Sequence, residues 1–167
     1  NAYVSLGDLD IEAPFTLSVW FKGNSSQPAT YCGLLNKSPS GGFGPWGIYG
    51  DGSSSYVRFG FVDNTGVQRE ISNPTYKDIR NPTWVNYVGT YDYNHLRLYR
   101  NGEEIVSAEE AGTPTTSDDT AAIGNRVRSG LDDACFGLFS NALIYDRALT
   151  PTEVADNFAV TRSRYGV

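Results

Sequence analysis

The segment Phe15-Thr16-Leu17-Ser18-Val19-Trp20-Phe21-Lys22 alternates without a break. Phe15, Leu17, Val19 and Phe21 project to one side, and Thr16, Ser18, Trp20 and Lys22 to the other. Side chains alternate in this way on a pleated strand and not on a helix, whose apolar stripe returns every three to four residues. The pattern therefore predicts a half-buried strand with Trp20 on its less apolar face. A lone strand leaves its backbone groups unpaired, so a chain containing it must supply partners.

Partners are abundant. Apolar runs at Tyr31 to Asn36, Trp46 to Tyr49, Tyr56 to Val62 and Val67 to Ile71 read as strands, separated by Gly, Pro, Asn and Ser clusters. Trp84 to Tyr91 and Leu96 to Tyr99 form a predicted hairpin over Asp92 to His95. Asn101-Gly102 follows, a pair that tolerates positive φ and so predicts a tight turn into a strand over Glu103 to Ser107. Ala121 to Gly124 is a short buried strand, Asn125 to Asp133 a polar loop, and Ala134 to Tyr145 a long final strand. One helix is predicted. Thr150-Pro151-Thr152-Glu153 combines an N-cap, a first-position proline and a capping-box glutamate, and Val154 and Phe158 follow as an apolar stripe, to about Arg164. The result is an all-β sandwich with one short C-terminal helix, in a single domain over residues 1–167.

The 167 residues carry 13 basic and 19 acidic side chains, a net charge of −6. An acidic chain repels phosphate backbones and anionic lipid, which excludes nucleic acid and membrane insertion as expectations. Asn1 is not an initiator methionine, so the chain is expected to be a module of something longer. Cys32 and Cys135 permit one internal bridge or stand as two buried thiols. Asn24-Ser25-Ser26 and Asn36-Lys37-Ser38 match the glycosylation tripeptide.

The residues offer little for catalysis. His95 is the sole histidine and falls in a predicted turn, with no nucleophile motif to serve. Glu103-Glu104 and Glu109-Glu110 flank a predicted strand, whereas a glycosidase places two carboxyls across a buried cleft. Asp132 and Asp133 lie in a loop of the kind calcium uses, and are the candidate metal ligands. Binding is the alternative: sugar rings dock on aromatic faces, with amides and charged groups bonding their hydroxyls. Phe43, Trp46 and Tyr49, with Asn125, Arg126 and Arg128, supply those residue types and are the candidate ligand-binding residues. Trp46 and Tyr49 taken singly also fit a core.

The order of segments resembles the laminin G-like and pentraxin-like domains of the concanavalin A-like superfamily. The resemblance rests on Phe15 to Lys22, on Trp84 to Asp92 with Leu96 to Gly102, on Ile123-Gly124-Asn125, and on Leu143 to Thr150 with Glu153-Val154. It spans essentially the whole chain and implies a jelly roll of two antiparallel sheets, with the customary first strand lying before Asn1 or incomplete. Relatives bind glycans or proteins, frequently with calcium. Here the loop Lys37 to Pro45 lacks carboxylates, Ser140-Asn141 stands where many relatives carry an acidic pair, and the sandwich glycosidases' E-x-D-x-x-E strand has no counterpart. The tail Asn157 to Val167 resembles endings of such domains in structural proteins of bacteriophages and other aquatic viruses. The resemblance thus implies a non-catalytic glycan-binding or adhesion module on an extracellular or virion surface. Its alternative is a capsid-decoration or fibre module that meets capsid, fibre or sister subunits.

Overall fold

A computed structural model describes residues 3–27, 31–38, 43–128 and 131–167. In chain order the strands are β1 Val4–Gly7, β2 Phe15–Gly23, β3 Tyr31–Lys37, β4 Trp46–Asp51, β5 Val57–Val62 and β6 Gln68–Ser72. They continue as β7 Trp84–Tyr91, β8 His95–Arg100, β9 Glu103–Glu109, β10 Ala121–Ile123, β11 Asn125–Arg128, β12 Leu131–Ala134 and β13 Gly137–Tyr145. The helix α1, Pro151–Thr161, runs into a 3-10 turn at Arg162–Tyr165.

Two sheets result. The larger runs β1-β10-β3-β4-β5-β6, with the β11–β12 hairpin attached beside β3, and the smaller runs β13-β2-β7-β8-β9. Neighbours are antiparallel, except where β12 meets β3 in parallel at Ala134 and Gly33. Phe15, Leu17, Val19 and Phe21 of β2 enter the core, where they meet Trp46 and Ile48 of β4 and Val57, Phe59 and Phe61 of β5. This is the β-sandwich that the strand pattern predicts, in the two-sheet jelly-roll form that the resemblance implies. Burying a large aromatic or aliphatic side chain contributes about 1.5–3 kcal/mol, so this interlayer is the main source of stability.

The tight turn is as expected, with Asn101 at φ 50° and Gly102 at φ 84°. Four features differ from expectation. First, β2 is buried on both faces: Trp20 is as enclosed as its core-facing neighbours, because α1 lies over it. Trp20 stacks on Tyr165, centroids 3.8 Å apart, and on Phe158 at 5.8 Å. Second, within the stretch expected as a loop, Asn125–Arg128 and Leu131–Ala134 are strands β11 and β12, held as a hairpin by backbone pairing from Asn125–Ala134 to Arg128–Leu131. Third, the final strand starts at Gly137, since Ala134 closes the hairpin and Cys135 is drawn to β3 by a disulfide with Cys32. Fourth, a short edge strand that the sequence pattern does not announce precedes Phe15: β1 pairs with β10.

The segment after β1 is tied down from below. Lys37, fully buried, is bound by Asp8 and by Asp10 at 2.6 Å, and the Trp46 indole Nε1 donates to the Leu9 carbonyl at 3.0 Å. The helix begins where its signals place it. Thr150 Oγ1 accepts from the Glu153 backbone N–H at 3.2 Å, and Glu153 Oε2 accepts from the Thr150 N–H at 2.8 Å.

Candidate functional site

Paired residues on adjacent strands share a sheet face. The pairs Tyr31–Asp51, Gly33–Tyr49 and Tyr49–Arg58 therefore put Tyr31, Tyr49, Asp51 and Arg58 together on the outer face of the larger sheet. Gly33 keeps that face open for the hairpin: a Cβ there would stand 2.5 Å from the Asn125 carbonyl oxygen. Gly47 does the same for the Tyr49 ring, which a Cβ would meet at 2.5 Å. The ring lies flat along the sheet, its hydroxyl accepting from the Gly44 N–H at 3.2 Å and donating to the Trp46 carbonyl at 3.1 Å. Burial pushes the Tyr49 phenol up to about 12, so it stays protonated.

The hairpin delivers Arg126 onto this surface. Its guanidinium carbon lies 5.7 Å from the Tyr49 centroid and 5.7 Å from that of Tyr31. Arg58 lies 5.2 Å from Tyr31 and 5.0 Å from Tyr56, and Phe43 packs on Tyr49 with centroids 4.2 Å apart. The order Phe43, Tyr49, Arg126, Tyr31, Arg58, Tyr56 is a ladder of rings and guanidinium groups, each cation resting against a negative ring face.

Both cations are matched. Arg58 bonds Asp51 at 2.9 Å and Glu70 at 2.6 Å, and Arg126 faces Asp133 at 3.5 Å. Burial pushes the Asp51 carboxyl up, but bonds from Ser53, Arg58 and Ser54 outweigh it and hold that group well below the ordinary carboxylate range. The carboxylate is therefore an acceptor at neutral pH, not an acid. One ring of the ladder faces solvent: Tyr31 is 39% exposed, at the point where both guanidinium groups converge.

The expected site residues are thus only partly gathered here. Phe43, Tyr49, Asn125 and Arg126 come together at the ladder and its hairpin. Trp46 does not: it is 0% exposed and points into the core, so neither ring face is open to a ligand. Tyr49 is on the correct face but roofed by Phe43 and Arg126, which makes it a support for the ladder and not a platform. The Arg128 side chain lies outside the described residues. So does that of Asp132, and Asp133 is buried against Arg126, which sets a cation in the place expected for calcium. Among the described residues no group of three or more His, Cys, Asp or Glu side chains comes together. Asn36 is also buried, its amide donating to the Asn125 carbonyl at 2.9 Å, so its glycosylation tripeptide is shielded.

Sequence reasoning missed Tyr31, Asp51, Tyr56 and Arg58. The available signal was Arg58 itself, a cation on the off-core face of a strand whose other face is Val57, Phe59 and Phe61. Of the glutamates clustered in the sequence, Glu103, Glu104 and Glu109 are exposed on edge strand β9, and Glu110 is held by Arg69 at 3.0 Å.

A family model described as the concanavalin A-like lectin/glucanases superfamily matches residues 1–155. No curated protein sequence matches the chain. Among solved structures, the Botulinum Neurotoxin serotype G binding domain superposes with a TM-score of 0.69 at 16% identity, over 95% of this chain and 38% of that one. A second structure of that toxin's domain, titled as a receptor binding domain, gives 0.67 at 15% identity, over 89% and 38%. The binding domain of Paraclostridial Mosquitocidal Protein 1 gives 0.65 at 18% identity, over 93% and 38%. The chain spans under two-fifths of each of these proteins, and identities this low speak for the fold alone.

Proposed function

The chain belongs to the concanavalin A-like lectin/glucanases superfamily, and from that premise we propose that it is a non-catalytic, lectin-like carbohydrate-binding module displayed on an extracellular or virion surface. The observation that carries the reading is Tyr31, the open ring of the outer-face ladder, flanked by guanidinium donors and by the carboxylates of Asp51 and Glu70. A pyranose offers an apolar face to such a ring and a rim of hydroxyls to the charged groups around it. A preorganised donor set loses little entropy on binding. The neighbouring toxin structures are titled as binding domains, which agrees with a binding role. The Cys32–Cys135 disulfide supports an oxidising location, since such bonds are rare in reducing compartments. Carboxylates already committed to arginine partners leave the ladder without a general acid, which supports the non-catalytic reading.

The test is retention on a broad glycan array with wild-type protein and the Tyr31→Ala variant. Retention of at least one glycan, lost or weakened about tenfold in the variant, is the expected result. Retention of no glycan, or equal retention by both proteins, overturns it.

One observation favours a structural reading beside this. Strand β13 is an edge strand with no charged residue, and Leu138 and Leu143 on it are largely exposed, whereas edge strand β9 carries three glutamates. An uncharged apolar edge is a template for pairing with another chain, as a capsid-decoration or fibre module needs. Sedimentation showing a dimer that a Leu138→Lys variant dissolves would favour that role, and a monomer at all concentrations would remove it.

A further inference from the structure

On the side of the molecule away from the ladder, α1 and the outer face of the smaller sheet enclose a cavity of about 80 Å³ that opens partly to solvent. Ser18 and Asn86 form its inner end, both buried, and Asn141 and Asn157 line it nearer the surface beside the exposed Leu143. Val88, Leu149 and Val154 make its apolar wall. Among the described residues no Asp, Glu, Lys or Arg lines it.

Three features set this hollow apart from a packing gap under a helix. Its inner end is polar: the Asn86 amide reaches Ser18 Oγ and the Val19 carbonyl only at 3.4 Å each, so a closer acceptor would improve its bonding. Asn141 sits in a β-bulge, between Ser140 and Leu143, with φ 43°. A non-glycine residue in the left-handed region costs about 1 kcal/mol or more, and bulges of this kind re-aim a side chain. The absence of charge is the third. A carboxylate or ammonium placed here would lose its hydration with no counter-ion, so the occupant must be neutral.

Size narrows the occupant. An apolar cavity of roughly 150 Å³ takes the six carbons of benzene, so about half that volume accepts a group of about three to four non-hydrogen atoms. A neutral group of that size with a donor, an acceptor and a methyl is an acetamido group. We infer that this cavity is a subsite for the acetamido group of an N-acetylated sugar residue. Its carbonyl accepts from the Asn86 amide, its N–H donates to a side-chain oxygen of Ser18 or Asn141, and its methyl meets Val88, Leu149 and Val154. The sugar ring stays outside, against Leu143. This second site is independent of the ladder and lies on the opposite sheet.

The experiment is a titration of isotope-labelled full chain with N-acetylglucosamine and, separately, with glucose, read by NMR. N-acetylglucosamine is expected to shift the signals of Asn86, Asn141 and Asn157 with a Kd of about 1 mM, while glucose leaves them in place. Asn141→Gly keeps the backbone in a conformation glycine favours and removes only the amide, and Leu143→Trp covers the mouth. Each is expected to weaken binding about tenfold with the melting temperature retained. Tyr31→Ala leaves this binding unchanged, so loss of ladder binding and loss of cavity binding are read separately. No shift at those three asparagines up to about 50 mM sugar, an equal response to glucose, or unaltered affinity in both cavity variants overturns the inference.

Discussion

The disulfide offers the sharpest test of how the ladder is held. Cys32 lies in β3 and Cys135 in the connection after β12, so the bond fastens the base of the hairpin that carries Arg126 to the strand that begins with Tyr31. Replacing both cysteines with alanine removes a link across 103 residues. A loop of that length restricts the unfolded chain by up to about 4.7 kcal/mol, and native disulfides more commonly contribute about 2–4 kcal/mol. At about 2–4 °C per kcal/mol for a chain of this size, the melting temperature is expected to fall by roughly 10 °C. The hairpin should loosen before the sandwich does, because its backbone pairs with β3 only at Ala134 and Gly33 among the described residues, and the other ties to β3 are side-chain contacts such as the Asn36 amide on the Asn125 carbonyl. Thermal unfolding by circular dichroism, with amide exchange over residues 125–134, reads both effects. A melting temperature within about 2 °C of wild type, with hairpin exchange unchanged, would show that the disulfide does not hold the hairpin in place.

Other perturbations follow from the same contacts. Trp46→Ala is expected to destabilise by about 3–5 kcal/mol in denaturant titration, because it empties a core site and not a sugar platform. Tyr165→Ala removes the Trp20 stack and the bond to Ser140 Oγ, and should cost about 2 kcal/mol on the same assay. Thr150→Ala breaks the capping box and should cost about 0.5–2 kcal/mol, visible as a lowered melting temperature. Acid should destabilise the fold. Burial raises Asp78, but Arg100, Tyr87 and Asn81 outweigh it and hold the group low, Asp51 is likewise held low, and Arg147 with the Thr150 N–H holds Glu153 at about 2. Groups with a folded value below the unfolded one favour the folded state fully above about 4.5 and lose that contribution as pH falls through the folded values. Melting temperature should therefore drop between about pH 4.5 and pH 2; a flat profile over that window contradicts these pairings.

Much of the fold was legible because the relevant signals are local. The β2 alternation, the Asn101-Gly102 turn and the Thr150–Glu153 cap each act within a few residues, and the structure places each where its chemistry requires. What was not legible depends on contacts between distant segments. Trp20 reads as half-exposed until the C-terminal tail is brought over it. The segments Asn125-Arg126-Val127-Arg128 and Leu131-Asp132-Asp133-Ala134 are too polar to announce strands, and they pair because Gly33 admits Asn125 and Cys32 captures Cys135. The binding residues were half right for the same reason. Trp46 and Tyr49 are three residues apart and so lie on opposite faces of β4, one in the core and one beneath the ladder. Tyr31, at the start of β3, gives no sign of its exposure without the two arginines that converge on it.

We propose that this chain meets carbohydrate on the outer face of the larger sheet, around Tyr31. The most direct measurement is an NMR footprint of whichever glycan the array retains. The largest shift changes are expected on Tyr31, Tyr56 and Arg58, with Trp46 unmoved and no sugar product formed on prolonged incubation. Changes confined to other surfaces, or release of reducing sugar, would contradict it.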